Sequence, residues 1–172
     1  QGDPGEGKTT MVLQIIAKLT RGETILPADS TKDKRIDIDS ESDMVDAENI
    51  ENNASTQHLE APVNVIYQTA EDGLGDTIKP RLLAAGADCT KVMVIDDSEQ
   101  PLTMADVRLE EAIVQTKARM VVLDPIQGFL GSEVDMHRAN EIRPLMKRIA
   151  VLAEKYHCAI ILIGHMNKNT RV

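Results

Sequence analysis

The chain has 172 residues, 42% of them hydrophobic, which is one domain's worth of sequence with enough apolar mass for a buried core. No apolar run reaches the length of a membrane span, and Cys89 and Cys158 form no metal-type pair, so a reduced, cytoplasmic, membrane-free setting is expected. The formal net charge of −9 is local: ten acidic and three basic residues lie between Asp29 and Glu60, leaving 18 acidic and 16 basic residues elsewhere. That near-neutral remainder does not veto DNA as a partner. Tyr67, Phe129 and Tyr156 are the whole aromatic content, which argues against a base-stacking platform.

In chain order the first element is a phosphate-binding loop. Gly2-Asp3-Pro4-Gly5-Glu6-Gly7-Lys8-Thr9 fits G-x-x-x-x-G-K-[ST] without a mismatch, and Thr10 follows it. Glycines with free φ let backbone N–H groups converge on phosphate oxygens, and the helix from Thr9 to about Leu19 points its N-terminus at the same anion. Lys8 can reach the β and γ phosphates, and the Thr9 hydroxyl can hold Mg²⁺. A buried strand should aim such a loop, yet only Gln1 precedes Gly2. The first strand is therefore expected to be missing, with the chain a fragment of a longer protein.

Val12, Ile15, Ile16 and Leu19 share one helix face, and the helix stops near Gly22. Residues 29–60 are acidic and aperiodic, the pattern of a surface insertion. "VNVIYQ" from Val63 is a buried strand. A helix follows, capped by Thr77, with Pro80 in its first turn and Gly86 at its end. "KVMVI" at 91–95 is the next strand, Thr103 caps a helix to about Thr116, and "MVVLD" at 120–124 is a third strand. A long amphipathic helix carries Ile142, Leu145, Met146, Ile149, Leu152, Ala153 and Tyr156, and "CAIILIG" at 158–164 is a fourth strand. Apolar strands alternating with helices predict an α/β fold whose parallel sheet is covered on both faces, with ligands at the carboxyl ends of the strands.

Three carboxyl-edge residues complete a candidate site. Asp124 ends an apolar strand, as a Walker B aspartate acting on Mg²⁺ does. The next residue is Pro125, so a catalytic base must come from elsewhere. Glu71, just past "VNVIYQ", is the candidate, with its neighbour Asp72 as the fallback and helix flanking as the bland alternative. His165 ends the last strand, where an imidazole could hydrogen-bond the γ-phosphate or simply sit solvated.

Taken together, "GDPGEGKTT", "YQTAEDGLGDTIKPRL", "VVLDPIQGFLG" and "ILIGHMNK" resemble the RecA-like ATPases of the RepA and bacterial AAA-family type, relatives of the ring-shaped replicative helicases and of the RecA and RadA recombination proteins. The resemblance runs from Gly2 to about Lys168, apart from the insertion. It implies a three-layer RecA-like core over residues 1–172, ATP with Mg²⁺, and assembly into rings or filaments. It implies Lys8 and Thr9 at the phosphates, Asp124 at the metal, Glu71 as base and His165 as γ-phosphate sensor. Loops 127–140 and 166–172 would face single-stranded DNA, with Arg138, Lys168 and Arg171 as the available cations; simple solvation accounts for them equally well. No arginine or lysine finger for a neighbouring subunit can be assigned before the chain stops at Val172.

Two other readings compete. A KaiC-like assembly or signalling ATPase would carry the same core motifs. A GTPase-like switch matches D-x-x-G at Asp72-Gly73-Leu74-Gly75 and begins N-K-x-D at Asn167-Lys168, but Thr170 stands where the guanine-reading carboxylate belongs.

Overall fold

The computed structural model describes residues 7–25, 61–71, 73–136 and 138–164. The insertion at 29–60 therefore lies outside the described residues.

Four parallel strands form one sheet in the order β2-β1-β3-β4, with β1 at Val65–Thr69, β2 at Val92–Met93, β3 at Met120–Asp124 and β4 at Ala159–Leu162. β1, mostly β-branched, and β3, mostly aliphatic, are buried on both faces, as parallel strands under helices require. The helices are α1 at Lys8–Thr20, α2 at Lys79–Ala84, α3 at Val107–Thr116 and α4 at Ala139–Tyr156.

Strand alternation divides the apolar residues between two cores. Val65, Tyr67, Met120 and Val122 pack with Val12, Leu13 and Ile16 of α1 and Leu82 of α2. Ile66, Val121 and Leu123 pack with Leu109 and Ile113 of α3 and Ile149 and Leu152 of α4. The result is the expected α/β architecture of three layers, with the sheet in the middle.

Local differences from the sequence reading have identifiable causes. The helix after β1 begins at Leu74, not at Thr77, because a π turn spans Leu74–Ile78 and runs straight into α2; Thr77 N–H donates to the Gly73 carbonyl within that turn. Gly86, at φ +81, does end the element. Asp106, not Thr103, caps α3, its carboxylate accepting from Arg108 N–H.

The strand read over 91–95 pairs only at Val92 and Met93. Beyond them the fully buried Gln68 side chain replaces the ladder. Its Oε1 accepts from Ile95 N–H at 3.0 Å, and its Nε2 donates to the Ile95 carbonyl at 3.1 Å and to Asp97 Oδ2 at 2.9 Å. A side-chain amide thus satisfies the backbone groups that a fifth strand residue would have paired.

Candidate nucleotide and metal site

α1 starts at Gly7, whose φ of +77 places it in the left-handed region where a side chain is strained. The Gly7 carbonyl accepts the first helical bond, from Met11 N–H at 2.8 Å. Lys8 and Thr9 are the first two helical residues. Their N–H groups belong to the set a helix leaves unpaired within itself, and the first turn carries no acidic residue to offset its positive end. A left-handed glycine followed by a helix N-terminus therefore stands at the described end of the loop motif. Gly2, Asp3, Pro4, Gly5 and Glu6 lie outside the described residues.

Asp124 occupies the carboxyl end of β3. Because side chains alternate along a strand, it follows Met120 and Val122 to the α1 side of the sheet. There its Oδ2 accepts two hydroxyl hydrogen bonds of 2.9 Å, one from Thr9 Oγ1 on α1 and one from Tyr67 Oη on β1. The carboxylate is only 5% exposed, so these donors help offset the cost of removing it from water. Thr9 and Asp124 are 115 positions apart in sequence, and the fold brings them into direct contact.

A family comparison matches residues 1–171 to the family described as AAA domain. The chain belongs to the AAA domain family. A comparison with curated proteins finds no match.

An AAA domain chain of this fold is consistent with nucleotide binding and hydrolysis, and the donor set suits a hard divalent cation. The Thr9 hydroxyl donates its proton to Asp124, which leaves the oxygen's lone pairs for a metal, while Asp124 supplies anionic oxygen. Two protein oxygens suit Mg²⁺, which usually keeps waters and shares phosphate oxygens rather than filling a protein cage.

The remaining predicted residues fall into three groups. Glu71 is exposed and lies two positions beyond Thr69, the register partner of Asp124, so it stands at the carboxyl edge; its N–H donates to Thr69 Oγ1 at 3.3 Å. Thr10 is exposed and accepts from Arg81 of α2 at 3.4 Å, a tie across the helix pair. Asp72, His165 and the segment 166–172 lie outside the described residues.

Arg138, read as a DNA-facing cation, precedes α4 and pairs with Asp135 at 3.4 Å and Glu141 at 3.3 Å. Glu141 also reaches back to accept from Asp135 N–H at 2.7 Å, which ties the loop to the helix start. Glu133 and Asp135 outnumber Arg138 as charged residues between positions 127 and 140. The stretch thus carries a negative formal charge, with histidine neutral.

Sequence reasoning missed Tyr67 and Gly128. Tyr67 had a signal: a tyrosine inside a buried strand needs a polar partner for its hydroxyl. Gly128, in the 3₁₀ turn Ile126–Phe129, lies so close to Ala70 that an added Cβ would collide with the alanine methyl. That closeness exists only after folding, and nothing in the local sequence announces it.

Among the described residues no helix is long and apolar enough to cross a membrane.

Proposed function

We propose that this chain is the ATP-binding, Mg²⁺-dependent ATP-hydrolysing core of a RecA-like motor, of the RepA type, acting on DNA in replication, recombination or repair. The observation that carries the nucleotide part is the 2.9 Å bond between Thr9 Oγ1 and Asp124 Oδ2, because it joins the loop motif to the strand-end carboxylate at one point. Residues 1–172 form a single core with the acidic stretch as a surface insertion, and copies assemble into a ring or filament.

In this reading Gly2 to Thr10 cradle the phosphates, with Lys8 supplying the cation and the α1 N-terminus the N–H donors. Bound Mg²⁺ would neutralise phosphate charge as it develops. Thr9 and Asp124 hold that ion. Glu71 orients the attacking water or takes its proton, a role Pro125 cannot fill at the position after Asp124. His165 is the γ-phosphate sensor.

A second reading keeps the same chemistry but makes nucleotide a controller of assembly, as in KaiC-like ATPases. It is favoured by the charge of the 127–140 loop and by the engagement of Arg138 with Asp135 and Glu141. Turnover measured at low salt with and without single-stranded DNA separates the two. Stimulation by DNA that fades steeply as salt rises is expected of the motor. Turnover indifferent to DNA would overturn the motor reading and leave the assembly ATPase.

A further inference from the structure

We propose that Tyr67 is a positioning residue for the metal-binding carboxylate, its phenol fixing Asp124 in the rotamer that meets Thr9. The inference rests on the nucleotide and metal reading of this site and adds to it a residue that touches neither phosphate nor metal.

The geometry is a triangulation. Asp124 is carried by β3, Thr9 by α1 and Tyr67 by β1, and both hydroxyls donate to the same oxygen, Oδ2, at 2.9 Å. An ionised carboxylate only accepts, so both partners are donors. The Thr9 contact depends on the position of α1 and is made by the oxygen assigned to the ion. The Tyr67 contact comes from within the sheet, where β1 and β3 are paired at Tyr67↔Val122 and Thr69↔Asp124. It is therefore the part of the arrangement that does not rely on the loop or the ion.

Tyr67 is itself enclosed by the core. The ring is fully buried, packed in the core beneath α1 and α2. One side of it lines a cavity of about 290 Å³ with Leu74, Ile78, Leu82 and Val92. With the ring enclosed, the hydroxyl is removed from water, and a buried phenol must find an acceptor. Asp124 is that acceptor. A site held this way keeps its carboxylate aimed before the ion arrives, so less ordering remains to be done on binding.

Tyr67→Phe removes one oxygen and leaves the ring packing in place. Mn²⁺ is the probe, because its binding can be read by electron paramagnetic resonance without turnover. Wild type and Tyr67→Phe are titrated with ATP in the presence of Mn²⁺ and, separately, of EDTA. The expected result is roughly tenfold weaker Mn²⁺-dependent binding, equivalent to one charge-assisted hydrogen bond, with metal-free ATP affinity unchanged. Equal loss with and without metal would mark a merely structural role and overturn the proposal, as would unchanged Mn²⁺ affinity. If wild type itself binds no ATP, the site reading fails; if wild type binds ATP with Mn²⁺ and Tyr67→Phe binds it equally well, this inference alone fails.

A second measurement needs no change at position 67. The chain has two tyrosines and no tryptophan, so Tyr156→Phe leaves Tyr67 as the sole tyrosine. With 3-fluorotyrosine incorporated in that background, a single ¹⁹F resonance reports the phenol. It should shift on adding ATP with Mg²⁺ and stay in place on adding ATP with EDTA. A resonance blind to the metal would contradict coupling between Tyr67 and the ion.

Discussion

At the scale of single residues, position on a β strand decides chemistry. Asp124 and Leu123 are neighbours in sequence, yet one faces α1 and the other the α3–α4 core. Glu71 owes its place to the same logic, lying just past the register partner of Asp124. Changing it to glutamine keeps its size and removes the proposed base, so ATP should still bind while turnover falls by roughly 10²–10⁴-fold. Single-turnover hydrolysis checks this, and near-normal rates would move the role to Asp72. Gly128 should tolerate no methyl group. Gly128→Ala would push on Ala70, next to Glu71, and should cost about 1–3 kcal/mol in urea unfolding.

Cys158 gives a pH prediction. Burial pushes its thiol up to about 11 from an ordinary value of 9.0. The folded state therefore holds its proton more tightly than the unfolded chain does. The contribution is fully present below pH 9 and is lost as pH rises from about 9 to about 11. Thermal melts across that window should show stability falling, and Cys158→Ala should flatten this part of the decline. At neutral pH the same thiol should react slowly with disulfide reagents.

At the scale of elements, side chains complete what the backbone leaves unfinished. Gln68 closes the gap where β1 and β2 part, and replacing it by leucine would strand the N–H and carbonyl of Ile95 in the interior. A loss on the order of 3 kcal/mol is expected in chemical unfolding. Asp106 anchors α3 in a similar way. The Arg108 guanidinium beside it holds its carboxyl below the usual range, so its contribution is present at neutral pH and lost under acid. Every one of these strands and long helices was legible in sequence periodicity, because burial on one or both faces writes a pattern into the residues. Their ends were less legible. The early stop of β2 at Met93 depends on Gln68, a partner distant in sequence. The π turn at Leu74 and the cap at Asp106 rest on local bonds, Thr77 N–H to the Gly73 carbonyl and Arg108 N–H to the Asp106 carboxylate, which hydrophobic periodicity does not register.

At the scale of the whole molecule, the parallel order β2-β1-β3-β4 places the carboxyl ends of β1 and β3 side by side, with α1 delivering Lys8 and Thr9 beside them. The loop motif and the strand-end aspartate could be picked out in the sequence because each has a local signature. Their mutual distance, and the share of Tyr67 in holding Asp124, arise only when three elements meet. If nucleotide governs assembly, the mass in solution should rise on adding ATP with Mg²⁺ and fall on its removal. Sedimentation in both conditions checks this, and a constant mass would indicate that nucleotide does not control assembly.

The most direct test of the central claim is calorimetric titration of ATP with Mg²⁺ into wild type and Lys8→Ala. The account predicts saturable binding to wild type and at least roughly tenfold weaker binding to the variant, since the substitution removes the cation aimed at the phosphates. Equal affinity in the two proteins, or no binding to wild type, would contradict the assignment of this loop and of Asp124 to a nucleotide site.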